Sequence, residues 1–294
     1  MTPAAVERAA CILQTELAAG DIETCDVPAR LDEYMQSVSD GALAQDVRRL
    51  PTVSPAFDPR FCCVSESLAR VEALSRRRLQ RGSGIRLLFG GPPGGGKTQY
   101  ALFLARALGR DVCLKRPSDL LSKYVGESEQ NIALAFRSAR RSGAVLILDE
   151  ADAILYDRSS AQRSWEHTQI SEFLQQIQDY DGILIACTNR VEAVDPALRR
   201  RFHRHVTFGP IDRDTLPHAL AHIFPGLTLS TRDLQSLSKG PALMMSDLAA
   251  AAEFIDLEQN EGTENTATGT PVSDIIREIQ LQAHTRDMTR DIGF

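Results

Sequence analysis

No stretch of this chain is apolar for 18 residues, so no segment has the length that a membrane-spanning helix needs. The six cysteines (11, 25, 62, 63, 113 and 187) form no CxxC pair and no metal-ligand spacing, and a chain of 294 residues builds a core without disulfide staples. A reducing compartment and a soluble, cytoplasmic protein without membrane insertion are therefore expected. Positive charge is also short: Lys and Arg total 33 against 39 Asp and Glu, a net charge of −6. There is no whole-chain basic field to attract a phosphate backbone, and nucleic acid is not the expected partner. Only four of the basic residues are lysines, at 97, 115, 123 and 239. HExxH is absent, and His218 and His222, four apart in HALAH, lack the glutamate of a zinc protease. A solvated helix is the reading for that pair, and a structural role the reading for the adjacent Cys62 and Cys63.

What is present is alternation. Helical spacing over residues 2–19 and 26–38 predicts a short helical extension, closed by Pro51, Pro55 and Pro59 near residue 56. A basic helix over 65–81, with Arg76 to Arg78 on a solvated face, precedes five apolar runs: IRLLFG at 85, RDVCLK at 110, AVLILD at 144, GILIACTN at 182 and HVTF at 205. Apolar strands 20 to 40 residues apart with helices between them predict an α/β fold, a parallel sheet in three layers, over residues 57–212. From 213 to 294 only helical patterns remain (213–223, 231–238, 245–258, 273–285), a small helical domain interrupted by a polar stretch at 258–271 predicted to be disordered.

The first strand runs into GGPPGGGKT. Gly91, Gly96, Lys97 and Thr98 satisfy GxxxxGK[ST] in the strand–loop–helix context that gives the pattern its meaning. With 19 glycines, four lysines and 38 serines and threonines in 294 residues, chance would supply about 0.002 such matches. Backbone N–H groups of Gly91, Gly94, Gly95, Gly96 and the first helical turn would cradle phosphates, with Pro92 and Pro93 shaping the loop. Lys97 would add a mobile charge, and Thr98 a hydroxyl for Mg²⁺. Asp149 and Glu150 end the strand over 144–148, at the carboxyl edge where such sheets bind ligands. Asp149 suits a role at Mg²⁺ and Glu150 one in orienting the attacking water. Thr188 and Asn189 end a third strand, and Arg199, Arg200 and Arg201 precede a fourth.

Taken together, GPPGGGKT, LLSKYVGESEQNIALAF, LILDEADAIL, IACTNR, DPALRRRF and GPALMMSDLAAAAEF resemble the AAA subfamily of AAA+ ATPases over roughly residues 57–258. The resemblance includes the katanin and spastin branch, and LLSKYVGESE, DRSSAQRSWEHT and the closing IGF are similar to a group of bacterial stand-alone AAA proteins. It implies ATP and Mg²⁺ as cofactors, Asn189 as the sensor of the γ-phosphate, and Arg200 and Arg201 as arginine fingers acting on a neighbour's ATP in a homo-hexamer. It also implies that Tyr124 and Val125 line a central pore and grip a polypeptide substrate or one delivered by an adaptor; Trp165, on a second loop, is read as packing. No lid arginine is assigned at Met245, Ser246 or Asp247. The implied activity is an ATP-driven ring motor that remodels proteins. The competing reading is a slow regulatory ATPase switch that assembles with partners, for example in bacterial stress or defence.

Overall fold

Every residue of the run Ile183–Thr188 is buried, so this segment must have hydrogen-bonded neighbours on both edges and cover on both faces. The computed structural model supplies both. It describes residues 53–122, 124, 126–155, 164–261 and 271–291, with the side chains of 153, 164–169, 258–261 and 289–291 left aside. The expected helices at 2–19 and 26–38, Val125, the Trp165 side chain and most of the polar stretch lie outside that description.

Six strands form one sheet: β1 (Cys63–Val64), β2 (Ile85–Gly90), β3 (Val112–Lys115), β4 (Val145–Leu148), β5 (Ile183–Thr188) and β6 (Arg204–Gly209). Their order is β1-β6-β2-β5-β4-β3. All neighbours are parallel except β1, which runs antiparallel to β6. The five expected strands are all present. β1 was not foreseen, since two residues carry no periodicity. It displaces the start of the expected basic helix: Ser65 is held against Thr207 by two hydrogen bonds of 2.9 Å, and α1 spans Leu68–Gln80.

Strand side chains alternate between two cores, as a period of two requires. Leu88, Leu146, Leu148, Leu184 and Ala186 face one cluster, built with α4 (Glu127–Ser142) and α5 (Ser164–Gln178) through Ile132, Phe136, Ile170 and Phe173. Leu87, Phe89, Val145, Ile147 and Ile185 face the other, built with α1 and α2 (Lys97–Ala107) through Val71, Tyr100 and Leu104. Burying one such side chain contributes roughly 1.5–3 kcal/mol. Two four-residue helices, α3 (Pro117–Leu120) and α6 (Pro196–Arg199), serve as connectors.

After β6 the chain is helical: α7 (Leu216–Ile223), α8 (Thr231–Lys239), α9 (Met245–Glu261) and α10 (Val272–Asp291). They share a third core with Phe61. Ser230 and Asp233 form a reciprocal capping box at the start of α8. α9 runs to Glu261, so the first residues of the stretch expected to be disordered, 258–261, are helical; residues 262–270 lie outside the described region. No helix among the described residues is long and apolar enough to cross a membrane.

Candidate nucleotide site

Parallel register brings three strand ends together: Gly90 of β2 lies opposite Thr188 of β5 and Thr207 of β6. The loop leaving β2 therefore emerges between two other carboxyl ends, the position at which α/β sheets bind ligands. Gly91 has φ of +130° and Gly94 of +81°, in the region glycine enters without steric cost. A Cβ at Gly91 would overlap the backbone oxygen of Phe208, and one at Gly94 the hydroxyl of Ser246. The loop has no room for side chains at either point. Gly95 is buried over Phe208, and Gly96 completes the turn into α2.

Lys97 opens α2 and is 7% exposed. Its Nζ donates to the carbonyl oxygens of Gly91 and Pro92, both at 2.8 Å, and to Asn189 Oδ1 at 2.9 Å. Burial lowers the pKa of its ammonium, while the nearby thiol and carboxylates of Cys187, Asp149 and Asp152 oppose that shift. Thr98 Oγ1 donates to Asp149 Oδ1 at 2.9 Å. Asp149 Oδ1 also accepts the Glu150 N–H at 3.1 Å. Glu150, with φ of +51°, is the one residue other than glycine at positive φ among those described. Its side chain is exposed and lines the cavity beside Asp149.

That cavity measures about 490 Å³. Pro93, Gly94, Gly96, Lys97, Thr98, Asp149, Glu150 and Asn189 line one end. Ser54, Ala56 and Phe57 form one further wall, and Met245, Ser246, Ala249, Ala250 and Glu253 of α9 another. The first wall is fastened to α2 where Gln99 Oε1 accepts the Ser54 N–H at 2.9 Å. Burial pushes the thiol of Cys187, which lies under the phosphate end, well up. A cleft of this size, with a glycine cradle and a lysine at one end and small or apolar side chains at the other, fits a nucleoside phosphate. Thr98 and Asp149 present two hard oxygen donors side by side, the limited protein share that Mg²⁺ takes when phosphates and water supply its other ligands.

The expected residues separate into three places. Pro93, Gly94, Gly96, Lys97, Thr98, Asp149, Glu150 and Asn189 line the cavity, and Gly91, Pro92 and Gly95 complete the loop beside it. Tyr124 lies elsewhere, 72% exposed and outside the core. Arg200 and Arg201 lie at the opposite edge of the sheet. The Arg201 carbonyl accepts from Arg86 Nε at 2.9 Å at the amino end of β2, about 16 Å of strand from Gly91. Arg200 is exposed, and Arg201 Nη1 donates to Gln178 Oε1 at 2.6 Å. Asp195 fixes the segment by capping α6 with bonds to the Ala197 and Leu198 N–H groups. The face with Arg76 to Arg78 is partly engaged rather than simply solvated: Arg76 bonds Glu72 at 2.8 Å, and Arg78 donates to the Gly84 carbonyl at 2.7 Å. Asp152 was not foreseen as a site residue. Its carboxylate accepts the Asn189 N–H at 3.2 Å and so positions Asn189 for Lys97; the acidic run DEAD was the available signal.

Residues 87–210 match the family profile described as "ATPase family associated with various cellular activities (AAA)". Among similar proteins, the ATPase histone chaperone abo1 of Schizosaccharomyces pombe is 37% identical over 155 residues, 49% of this chain and 13% of that protein. Protein CdcH of Halobacterium salinarum is 32% identical over 198 residues, 60% of this chain and 26% of its own length. The ATPase histone chaperone YTA7 of Saccharomyces cerevisiae is 38% identical over 134 residues, 42% of this chain and 10% of the relative. The chain thus spans between 10% and 26% of the length of these relatives. With the loop, the paired acids and the strand order in place, residues 87–210 are an AAA-family ATPase domain.

Proposed function

We propose that this protein binds Mg·ATP in the cavity between the phosphate loop and α9, and uses its hydrolysis to remodel a protein substrate as a homo-hexameric ring. The observation that carries the nucleotide reading is the convergence on one end of the cavity of Lys97, Thr98, Asp149, Glu150 and Asn189. An anionic phosphate oxygen is a stronger partner for Lys97 than the neutral carbonyls of Gly91 and Pro92. Thr98 and Asp149 would hold Mg²⁺, which supplies charge neutralisation at the phosphates. Glu150 would orient and polarise the attacking water, and Asn189 would sense the γ-phosphate. Phosphoryl transfer needs this kind of positioning and charge rather than covalent chemistry.

The separation of Arg200 and Arg201 from their own cavity supports the ring. An arginine a strand's length from its own phosphates stabilises transferring charge only when a neighbour's site comes to it. Exposed Tyr124, with Val125, suits sequence-tolerant contact with an extended chain in a central pore. That two of the relatives are named histone chaperones supports protein as the substrate class.

The test is the solution mass of the Glu150→Gln protein with and without Mg·ATP. A shift to about six protomers supports the ring. A persistent monomer that still binds ATP refutes it and leaves the regulatory switch.

A further inference from the structure

The wall of the cavity formed by α9 is anchored from a distant part of the chain. Ser246 is its point of contact with the phosphate loop: its N–H donates to the Gly94 carbonyl at 3.3 Å, and its hydroxyl fills the space beside the Gly94 Cα. The next residue, Asp247, is 3% exposed. Its carboxylate accepts the Met244 N–H at 2.8 Å, the local bond of a helix start. Asp247 also pairs with Arg286 Nη1, 39 positions later near the end of α10.

Arg286 grips both sides of the turn that leads into α9. While Nη1 holds Asp247, Nη2 donates to the Ala242 carbonyl at 2.7 Å and to Asp287 Oδ1 at 2.8 Å. Its side chain is 14% exposed. A planar guanidinium can satisfy three acceptors at fixed angles, which a lysine ammonium cannot reproduce. Within this clasp lie Leu243, whose carbonyl accepts the Ile211 N–H at 2.8 Å, and Met244. The clasp therefore fixes where α9 begins relative to both the end of β6 and the phosphate loop.

We infer that Arg286 is a positioning residue for the nucleotide: by clasping the turn 242–247 it seats Ser246 on Gly94, so that the end of α10 sets how firmly α9 closes the cavity. This rests on the reading of the cavity as a nucleotide site. Without the clasp the phosphate loop and Lys97 remain in place, but the opposing wall loses its registration. The consequence falls on nucleotide release rather than on capture.

The test uses the full-length chain and a fluorescent N-methylanthraniloyl ADP, with association and release followed by stopped flow. Arg286→Met is expected to release the nucleotide about tenfold faster with association changed less than twofold, and Arg286→Lys to recover part of the loss. Because Arg286→Met leaves a buried carboxylate unpaired and can fail to fold, the neutral pair Asp247→Asn, Arg286→Met is measured alongside and should also release about tenfold faster. Unchanged release in a folded variant overturns the inference, as does a lowered melting temperature with release unaltered. If the unaltered chain binds no nucleotide, the nucleotide reading itself fails.

Discussion

Lys97 and Asn189 meet at the tip of the phosphate loop, Nζ to Oδ1, at 2.9 Å, although 92 residues separate them. The two strands that deliver them, β2 and β5, pair in register along their whole length, so the contact follows from the sheet and not from local sequence. The same ammonium binds two loop carbonyls. The site is therefore assembled around one buried cation.

Replacing Lys97 by Ala should weaken ATP binding by about a hundredfold or more. Hydrogen bonds to a charged group contribute roughly 1.5–3 kcal/mol each, and the triphosphate would lose more than one. Titration calorimetry with a non-hydrolysable ATP analogue decides the matter. Unchanged affinity would remove Lys97 from the site.

Gly91→Ala should destabilise the fold as well as the site. Positive φ costs an ordinary residue roughly 1–2 kcal/mol, and the new methyl group would overlap the Phe208 carbonyl. A melting temperature lower by about 5 °C or more is expected. A melting curve superimposable on that of the unaltered chain would show that the loop has slack.

Chains carrying Arg200→Ala and Arg201→Ala together, mixed into unaltered protein, should depress ATPase activity more steeply than dilution alone. Each altered chain disables its neighbour's site in a ring. Activity that falls in strict proportion to the altered fraction would place the arginines in their own subunit's chemistry.

Tyr124→Ala should leave the melting temperature within about 1 °C, since the side chain is 72% exposed. ATP binding should be unaltered and processing of a polypeptide substrate lost. Retained processing would rule out the grip.

His203 gives a prediction in pH. Burial, aided by the charges of Arg86 and Arg78, lowers its pKa from 6.5 to about 4, and its Nδ1 accepts the Arg86 N–H at 3.0 Å. The unfolded chain binds this proton more readily, so stability is full above about pH 6.5 and declines as pH falls toward 4. His203→Asn, which keeps an acceptor but does not titrate there, should flatten that part of the stability–pH curve in denaturant titrations. An identical slope in the two proteins would assign the dependence to other groups.

Four of the five expected strands, β2 to β5, were readable because each is a largely apolar run of four to six residues, mostly buried on both faces. β6 showed itself by alternation, with Val206 and Phe208 buried and His205 and Thr207 exposed. The phosphate loop was readable because only a few residue types fit its geometry. Other features left no local trace. β1 is too short to show alternation. Asp152 reaches the Asn189 backbone from another strand end. The clasp of Arg286 on Asp247 joins residues 39 positions apart. The wall at Ser54 to Phe57 depends on Gln99, an unremarkable polar residue on α2. In each case the missing information was which ends the sheet and the helix packing bring together.

β6 touches both halves of the proposed chemistry. Its amino end follows Arg200 and Arg201, and seven residues after Arg201 the Phe208 carbonyl lies under Gly91 while the Phe208 side chain supports Gly95. The strand is paired with β2 over residues 204–207 and with β1 only at Phe208 and Gly209, and it contains no glycine before Gly209. It joins Arg200 and Arg201 at one end to the phosphate loop at the other through one continuous strand. In the ring proposed above, a displacement of these arginines by a neighbour's nucleotide would reach this chain's own phosphate loop along β6 with no hinge between them.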